Sequence, residues 1–124
     1  MVRKVPAGKP ALKPRFRVVC GDGIALGPGK MELLALLLET KSLSEAARRL
    51  EMSYMRAWTL VKEMNQCFRQ PLAVASRGGK SGGGMTVTTA GRRVVDLYSQ
   101  IESRAMRAAD NPWRSLKRLL RTTC

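Results

Sequence analysis

The side chains able to perform covalent or acid–base chemistry are few and badly placed for it. The chain has no histidine, and its three cysteines, Cys20, Cys67 and Cys124, are widely separated and form no CxxC pair. A zinc site needs three or four such ligands, so we expect no metal and no cofactor. The segment GGKS is typical of phosphate-binding loops, but that motif requires glycine where Val74 stands. We therefore expect that the protein is not an enzyme.

Positive charge is the chemistry that the sequence offers in quantity. It has 23 Lys+Arg against 9 Asp+Glu, a net charge of +14. Residues 1–17 contribute six basic side chains and no acidic one, and residues 104–124 six basic and one acidic, which leaves only +3 for the segment between them. Basic tails on a nearly balanced core favour a polyanionic partner, because Lys and Arg add phosphate contacts. Tails that merely aid solubility remain the alternative.

Two helices joined by a very short turn are the most informative feature of the sequence. Ser42 and Glu45 have the spacing of a capping box at the start of the first helix. Its apolar stripe follows a helical period and consists of Leu43, Ala46, Ala47 and Leu50. Ser53 is a second cap candidate, and the next helix is predicted from Tyr54 to about Arg69. Its core-facing residues are predicted to be Ala57, Trp58, Val61, Met64 and Phe68.

This pair of helices is typical of a helix-turn-helix, in which the second helix presents its first turn to the major groove of DNA, about 12 Å wide. Arg56 could donate a bidentate pair to guanine, and Ser53 and Tyr54 could reach phosphate or a base edge. For Met55 an edge of the core stays open as an alternative, and for Ser44 a contact with phosphate and its absence stay equally open. The DNA contacts predicted on these helices are Ser44, Ser53, Tyr54, Met55, Arg56, Thr59 and Lys62.

Short strands are predicted on both sides of the helices. Two of them surround the turn Gly21-Asp22-Gly23, and a helix then begins at Lys30. It is apolar on more than one side, which predicts burial on more than one side. A second hairpin joins residues 72–76 to residues 85–88.

The tip of the second hairpin, residues 77–84, has the sequence RGGKSGGG. Glycines let a backbone run close to a phosphate surface, and Arg77 and Lys80 add charge to the tip. Directly after a helix-turn-helix, such a hairpin is typical of a wing that contacts the DNA backbone or the minor groove. We therefore predict DNA contacts for both cations.

A long helix follows the wing. Thr89 is predicted to cap it, and it is expected to run over residues 90–109 until Asn111-Pro112 ends it. Its apolar stripe lies close to a heptad seam and consists of Val94, Leu97, Tyr98, Ile101 and Ala105. Residues 113–121 could form one more short basic amphipathic helix, whose role the sequence leaves open.

The stretch from about Phe16 to Ala105 resembles the N-terminal DNA-binding domain of the ModE-type, molybdate-responsive regulators and, more distantly, the LysR-type winged helix. The residues that carry the resemblance are SLSEAARRLEMSYMRAWTLVKEMNQCF, the GGKSGGG wing and TVTTAGRRVV. The resemblance implies a homodimer held largely by helix 90–109, with the stripe of that helix at the interface. It also implies that Ser53, Tyr54, Arg56 and the wing face DNA.

The sequence departs from that family in two respects. Full-length ModE-type regulators have C-terminal oxyanion-binding domains, and this chain ends soon after the long helix, so we expect neither a molybdate site nor another small-molecule effector site. Glu51 stands where relatives often have a small turn residue, and a left-handed conformation there would be strained.

Together these features predict a mainly α fold with a small β component, a winged helix-turn-helix with a long C-terminal dimerisation helix. Residues 1–14 are expected to be a disordered basic arm, residues 15–109 the DNA-binding domain and residues 110–124 a basic tail. The expected partners are double-stranded DNA and a second copy. With no signal peptide and no membrane span, we expect a cytoplasmic location. A sequence-indifferent nucleoid or RNA-binding protein, and a pure protein-interaction module, remain the alternatives.

Overall fold

The computed structural model describes residues 8–76 and 84–121. Its elements in chain order are β1 (Val18–Cys20), β2 (Gly23–Leu26), α1 (Pro28–Thr40), α2 (Leu43–Arg49), α3 (Tyr54–Cys67), β3 (Ala73–Ala75), β4 (Met85–Val87) and α4 (Thr89–Arg118). Both strand pairs are antiparallel hairpins. The predicted fold class, a mainly α winged helix-turn-helix with a long C-terminal helix, is confirmed.

The chain divides into two compact units. Among the described residues, one consists of residues 15–76 and 84–99, and the other combines residues 8–14 with residues 100–121. Every element of the helix-turn-helix and both hairpins belong to the first unit. The predicted domain limits at residues 14 and 109 remain predictions.

The core of the first unit is formed by α1, α2 and α3. The side chains of Leu33, Leu34 and Leu37 on α1 are fully buried, while Leu36 and Leu38 are half-buried against the same cluster. Burial on more than one side is therefore confirmed for α1. The other helices contribute Leu43, Ala46, Ala47, Ala57, Leu60, Val61 and Met64.

The start of α1 lies at Pro28, two residues before the predicted Lys30. Proline fits the first helical position because the N–H that it lacks would have no partner there. As a result, Lys30 lies inside the helix and is only 8% exposed. Its Nζ donates to the carbonyl oxygen of Ile24 and lies 3.3 Å from Oε1 of Glu63, so one cation connects α1 to β2 and to α3.

The predicted capping box at α2 forms only in part. Ser42 Oγ accepts a hydrogen bond of 3.1 Å from the backbone N–H of Glu45, as expected. The predicted reciprocal bond, from the Ser42 N–H to the Glu45 side chain, does not form. The Ser42 N–H donates to Thr40 Oγ1 at 3.3 Å instead. The carboxylate of Glu45 instead binds Arg48 and Arg49, which offer charged donors.

The cap of α4 is Thr88, one residue before the predicted Thr89. Its Oγ1 accepts from the N–H of Gly91 at 3.0 Å and donates to the carbonyl oxygen of Pro71 at 2.7 Å. Gly91 packs directly on the chain before β3: a Cβ there would overlap the Leu72 carbonyl oxygen and lie 2.6 Å from Cγ1 of Val87. Only glycine permits this close approach of α4 to the wing hairpin.

The prediction that Asn111-Pro112 ends the long helix is wrong. Helix α4 continues through Pro112 to Arg118, so the predicted separate helix over residues 113–121 is the last part of α4. A proline in a helix interior lacks one hydrogen bond but does not prevent helical φ. Within this last part, the Asp110 and Arg114 side chains lie 3.0 Å apart, and the Lys117 ammonium lies 5.9 Å from the centre of the Trp113 ring.

Candidate nucleic-acid interface

The turn between α2 and α3 is a Schellman motif. The N–H of Met52 donates to the carbonyl oxygen of Ala47 at 3.0 Å, and the N–H of Glu51 donates to that of Arg48 at 3.1 Å. Glu51 has φ of 55°, the left-handed conformation that this motif usually gives to glycine. The strained left-handed conformation that we expected at this position is therefore present, and the residue that adopts it is a glutamate.

The first turn of α3 is capped and exposed. Ser53 Oγ accepts from the N–H of Arg56 at 3.0 Å, which confirms Ser53 as the cap. Tyr54, Met55 and Arg56 are all exposed, and Met55 reaches 67%. Exposed side chains around a helix amino end can meet both base edges and the negative charge of phosphates.

One stripe of α3 points away from the core along the whole helix. It consists of Met55, Thr59, Lys62 and Gln66, spaced at helical intervals and all exposed. Thr59 Oγ1 donates to the carbonyl oxygen of Met55 at 2.9 Å, so its hydroxyl keeps acceptor capacity for a partner. Gln66 was not predicted as a site residue, although its place on this stripe follows from the helical period.

Arg56 lies on the flank of α3 that faces the first hairpin. It lines an open groove of about 500 Å³ together with Arg17, Asp22, Lys30 and Glu63. The groove is lined by three cations and two carboxylates, so Arg56 has charged neighbours of both signs. Its exposed guanidinium is still available to a nucleic acid.

The side chains of α2 form a charged network at its exposed surface. Glu45 accepts from Arg48 Nε at 3.0 Å and from Arg49 Nε at 3.1 Å, and Arg49 also lies 3.6 Å from Glu39 on α1. Hydrogen bonds from Arg48 and then Arg49 lower the pKa of Glu45 from 4.5 to about 2. The same bond to Glu45 raises the pKa of Arg48. Ser44 is exposed on this helix.

The wing is anchored at its base. The Ser76 N–H donates to the carbonyl oxygen of Gly84 at 2.9 Å, and the Met85 N–H donates to that of Lys41 at 3.1 Å, so the turn between α1 and α2 supports the hairpin. The strands pair with Val74 opposite Thr86. Arg77 and Lys80, predicted to contact DNA from the tip, lie outside the described residues.

Asn65 fastens α3 to the wing. Its Nδ2 donates to the carbonyl oxygen of Ala73 at 2.9 Å, and its Oδ1 accepts from the N–H of Leu72 at 2.8 Å. This side chain completes the hydrogen bonds of a segment that enters β3. Asn65 was not among the predicted site residues; the only sequence signal was its polarity on a helix face next to the core residues.

The prediction that Trp58 belongs to the core is wrong, because its side chain is 37% exposed. Trp58 follows Tyr54 by one helical turn on the flank of α3, where the buried stripe gives way to the surface. An exposed aromatic pair beside the first turn adds apolar surface to the predicted DNA-facing side. By contrast, Met64 is fully buried, as expected.

The predicted dimerisation stripe divides into two kinds of residue. Leu97 and Ile101 are 40% and 49% exposed, while Val94 and Ala105 are half-buried. Tyr98 is only 5% exposed and belongs to the core cluster of its own chain. Its hydroxyl donates to the carbonyl oxygen of Phe16 at 2.6 Å, which fixes α4 to the chain that enters β1.

Within residues 8–76 and 84–121, the acidic and thiol side chains form no group of three that could hold a metal ion. No helix in that part of the chain combines the length and apolar content that a bilayer span requires.

The comparison with protein families gives a match over residues 29–92, which cover more than half of the chain. The matched family is described as bacterial regulatory helix-turn-helix protein, lysR family. These residues contain α1 except its first residue, α2, α3 and the wing strands, as well as the first turn of α4.

Comparison with individual proteins gives relatives over a similar region. The chain is 40% identical over 81 residues to the molybdenum-pterin-binding protein MopB of Rhodobacter capsulatus. This aligned region covers 65% of this chain and 30% of the relative. It is 35% identical over 88 residues to the molybdenum transport protein ModE of Azotobacter vinelandii, and that alignment covers 71% of this chain and 33% of the relative. It is 36% identical over 81 residues to the DNA-binding transcriptional dual regulator ModE of Escherichia coli K12, and that alignment covers 63% of this chain and 31% of the relative.

The chain therefore spans about a third of the length of the relatives that it matches. The predicted resemblance to a ModE-type DNA-binding domain is confirmed by these matches. On the evidence of its helix-turn-helix and its wing strands, this chain belongs to the bacterial regulatory helix-turn-helix proteins of the lysR family.

Proposed function

We propose that this chain binds duplex DNA as a homodimeric transcription regulator of the bacterial cytoplasm, with α3 in the major groove and the wing against the backbone or minor groove. The observation that carries the proposal is the first turn of α3. Its cap is satisfied internally by Ser53, and Tyr54, Met55 and Arg56 remain exposed around it. A rigid, uncovered helix end of this kind is what a helix-turn-helix inserts into DNA.

The contacts divide by their chemistry. Arg56 would donate to guanine, and Met55 would contact a thymine methyl group. Ser44, Ser53, Tyr54, Thr59 and Lys62 would hold the protein on phosphates and base edges, and Arg77 and Lys80 would do so from the wing. Gln66 extends the exposed stripe by one turn, so we add it to the predicted contacts.

The second copy is proposed to pair through α4. Leu97 and Ile101 lie one turn apart on that helix and are exposed, as an interface within a dimer requires. Tyr98 would support this interface from inside its own chain, since its ring is already buried there. The two recognition helices would then contact half-sites about 34 Å apart.

The test is selection of bound duplexes from a random pool, followed by titration of the selected site and of a scrambled duplex at several salt concentrations. We expect the selected site to bind at least ~10³-fold more tightly than the scrambled one, with steep salt dependence for both. Equal binding to both duplexes would favour a nucleoid or RNA-binding protein driven by the basic tails. A lack of salt-dependent binding would favour a protein-interaction module.

Arg56→Ala tests base reading. Loss of a bidentate contact costs about 1–3 kcal/mol at the selected site, and binding to scrambled DNA should change much less. Arg69→Ala is the matched control, because Arg69 is also exposed but lies beyond the carboxyl end of α3. Deleting residues 1–14 should instead weaken binding to all sequences alike and lower the salt slope. If Arg56→Ala weakened both duplexes equally, Arg56 would be a phosphate contact.

The dimer is tested by sedimentation equilibrium of Leu97→Glu and Ile101→Glu. Burial of a charge in an apolar seam should convert the dimer to a monomer at micromolar concentration. Ser103→Glu changes an exposed residue outside the predicted stripe and should leave the mass unchanged. A wild-type chain that sediments as a monomer at all concentrations would refute the dimer without affecting the assignment of DNA contacts.

A further inference from the structure

The first two turns of α3 present a mostly apolar surface. Among residues 54–60 five side chains are exposed, and one of these five, Arg56, is charged. Met55 is 67% exposed, Tyr54 48% and Trp58 37%. Their spacing of three and four residues makes Trp58 a neighbour of both other side chains on the helix surface. Exposed apolar side chains that adjoin one another mark an interaction site more often than scattered ones do.

Thr59 adds a methyl group to this surface. Its Oγ1 donates to the carbonyl oxygen of Met55 at 2.9 Å, so the hydroxyl is bound back to its own helix. Thr59 is itself exposed, and its methyl group is the apolar part that a partner can meet. We call these four residues the apolar patch of α3: Tyr54, Met55, Trp58 and Thr59.

Polar readers of base edges are scarce on the same two turns. Residues 54–60 contain neither Asn nor Gln, which read adenine, and neither Asp nor Glu, which accept from cytosine. Gln66 follows Met55 on the exposed stripe only after three helical turns. Arg56 suits guanine, and what remains is apolar. In the major groove the apolar group that distinguishes one base from the others is the C5-methyl of thymine.

The apolar patch and Arg56 extend to different flanks of α3. Trp58 lies two helical turns before Asn65, on the flank that Asn65 binds to the backbone before and within β3. Arg56 lies on the other flank, next to the first hairpin. The two kinds of base reader would therefore meet different base pairs of one site.

Charge favours DNA over an apolar protein surface as the partner of the patch. Residues 52–62 contain Arg56 and Lys62 and no carboxylate, and the whole chain has a net charge of +14. The amino end of α3 adds the positive end of a helix dipole. Residues 55–59 rise about 6 Å along the helix, and stacked base pairs are about 3.4 Å apart, so the patch is long enough to reach two adjacent pairs.

We propose that Trp58 and Thr59 join Met55 as specificity-determining residues that read thymine methyl groups on adjacent base pairs. The ring of Tyr54 would border these contacts and exclude water from them. This inference rests on the proposed function, and it goes further by naming the chemistry through which the first two turns of α3 select a site.

The test replaces thymine by uracil, which pairs in the same way but lacks the C5-methyl group. Duplexes of the site selected from a random pool are prepared with one thymine at a time replaced, and binding of the full chain is measured by fluorescence anisotropy at fixed salt. We expect replacement at two or more neighbouring positions to raise the Kd about 4-fold each, as fits the loss of one buried methyl group. Replacement of thymines that flank the site should change nothing.

Variants connect the methyl groups to the patch. Met55→Ala and Trp58→Ala should each reduce the uracil-to-thymine ratio of Kd to below about 2-fold at one position. Val19→Ala is the matched control, because Val19 is 68% exposed on β1 and should leave the ratio unchanged. Arg56→Ala should weaken binding but keep the ratio. Each ratio compares two duplexes on one variant, so a partly unfolded variant does not distort it.

The outcomes separate this inference from the proposed function. If uracil and thymine sites bound equally while the selected site was still preferred to a scrambled one, the inference would be overturned and the proposed function kept. A ratio that survived in both Met55→Ala and Trp58→Ala would also overturn it, because another part of the chain would then read the methyl groups. Equal binding of every duplex, scrambled ones included, would overturn both.

Discussion

The two ends of α3 differ in how they are held: the carboxyl end is fixed to other parts of the domain, and the amino end is exposed. At the carboxyl end, Asn65 binds the backbone of Leu72 and Ala73, and Met64 is fully buried. At the amino end, the Ser53 cap satisfies one backbone donor from within the helix, and the side chains around it are exposed. The comparison teaches that fixing one end of α3 to the wing lets the domain leave the other end, the proposed recognition surface, exposed.

Gly91→Ala should produce the largest effect, because it attacks the fixed end. The new Cβ would overlap the backbone carbonyl of Leu72, which cannot rotate away as a side chain can. We expect a loss of about 3 kcal/mol in the free energy of unfolding, measured by urea denaturation. Gly29→Ala is the matched control: Gly29 is also helical, but nothing lies within 4 Å of its Cβ position. That variant should be neutral or slightly more stable.

Asn65→Ala should come next. It leaves a half-buried N–H and a carbonyl oxygen without their partner, at a cost of about 2 kcal/mol. Gln66→Ala, at an exposed neighbouring position, should cost less than about 0.5 kcal/mol. If the two variants were equally stable, the carboxyl end of α3 would not be fixed through Asn65 and the contrast between the ends would fail.

Glu51→Gly concerns the turn that leads to the free end. Glycine tolerates φ of 55° without the penalty of a Cβ, so we expect a gain of about 0.5–1 kcal/mol in the free energy of unfolding. Glu51→Ala also removes the carboxylate but keeps the Cβ, and it should bring no comparable gain. A gain of equal size in both variants would indicate that the charge, and not the backbone, carries the cost.

The smallest effect is the pH dependence that Glu45 contributes. Its pKa is lowered in the folded chain, so its stabilising contribution is fully present above pH 4.5 and is lost as pH falls through about 2. The difference in unfolding midpoint between wild type and Glu45→Gln should therefore shrink over that interval. Glu32→Gln, an exposed substitution of the same kind on α1, provides the reference. A difference that stays constant from pH 6 to pH 2 would contradict the ion network.

The local features of the helix-turn-helix could be predicted from the sequence because they depend on neighbouring residues. The caps at Ser42 and Ser53 and the helical stripe of α2 need only a few consecutive positions. Features of this kind have signatures within a few consecutive residues, so they can be predicted without knowing the tertiary arrangement. The left-handed strain expected at Glu51 came instead from the resembled family, whose members often have a small residue at that position.

The features that the sequence did not predict depend on distant contacts. Asn65 acts on residues after the end of its helix, and Gly91 is needed only because Leu72 lies against it. Trp58 has the helical spacing of a core residue but lies at the edge of the core. At such a position, periodicity alone cannot distinguish a buried side chain from a partly exposed one. The continuation of α4 through Pro112 is a further case, because a proline usually indicates the end of a helix and this helix does not end there.

That proline has a consequence for how α4 opens. Pro112 has no N–H, so the carbonyl oxygen of Ala108 lacks its intrahelical donor, and an interior proline costs a helix about 3 kcal/mol. The turn that spans residues 108–112 is thus the weakest link in the helical ladder. Amide protons after Pro112 should exchange with deuterated solvent well before those near Tyr98, whose ring lies in the core. We therefore expect the last part of α4 to fray and re-form independently of the part that carries Leu97.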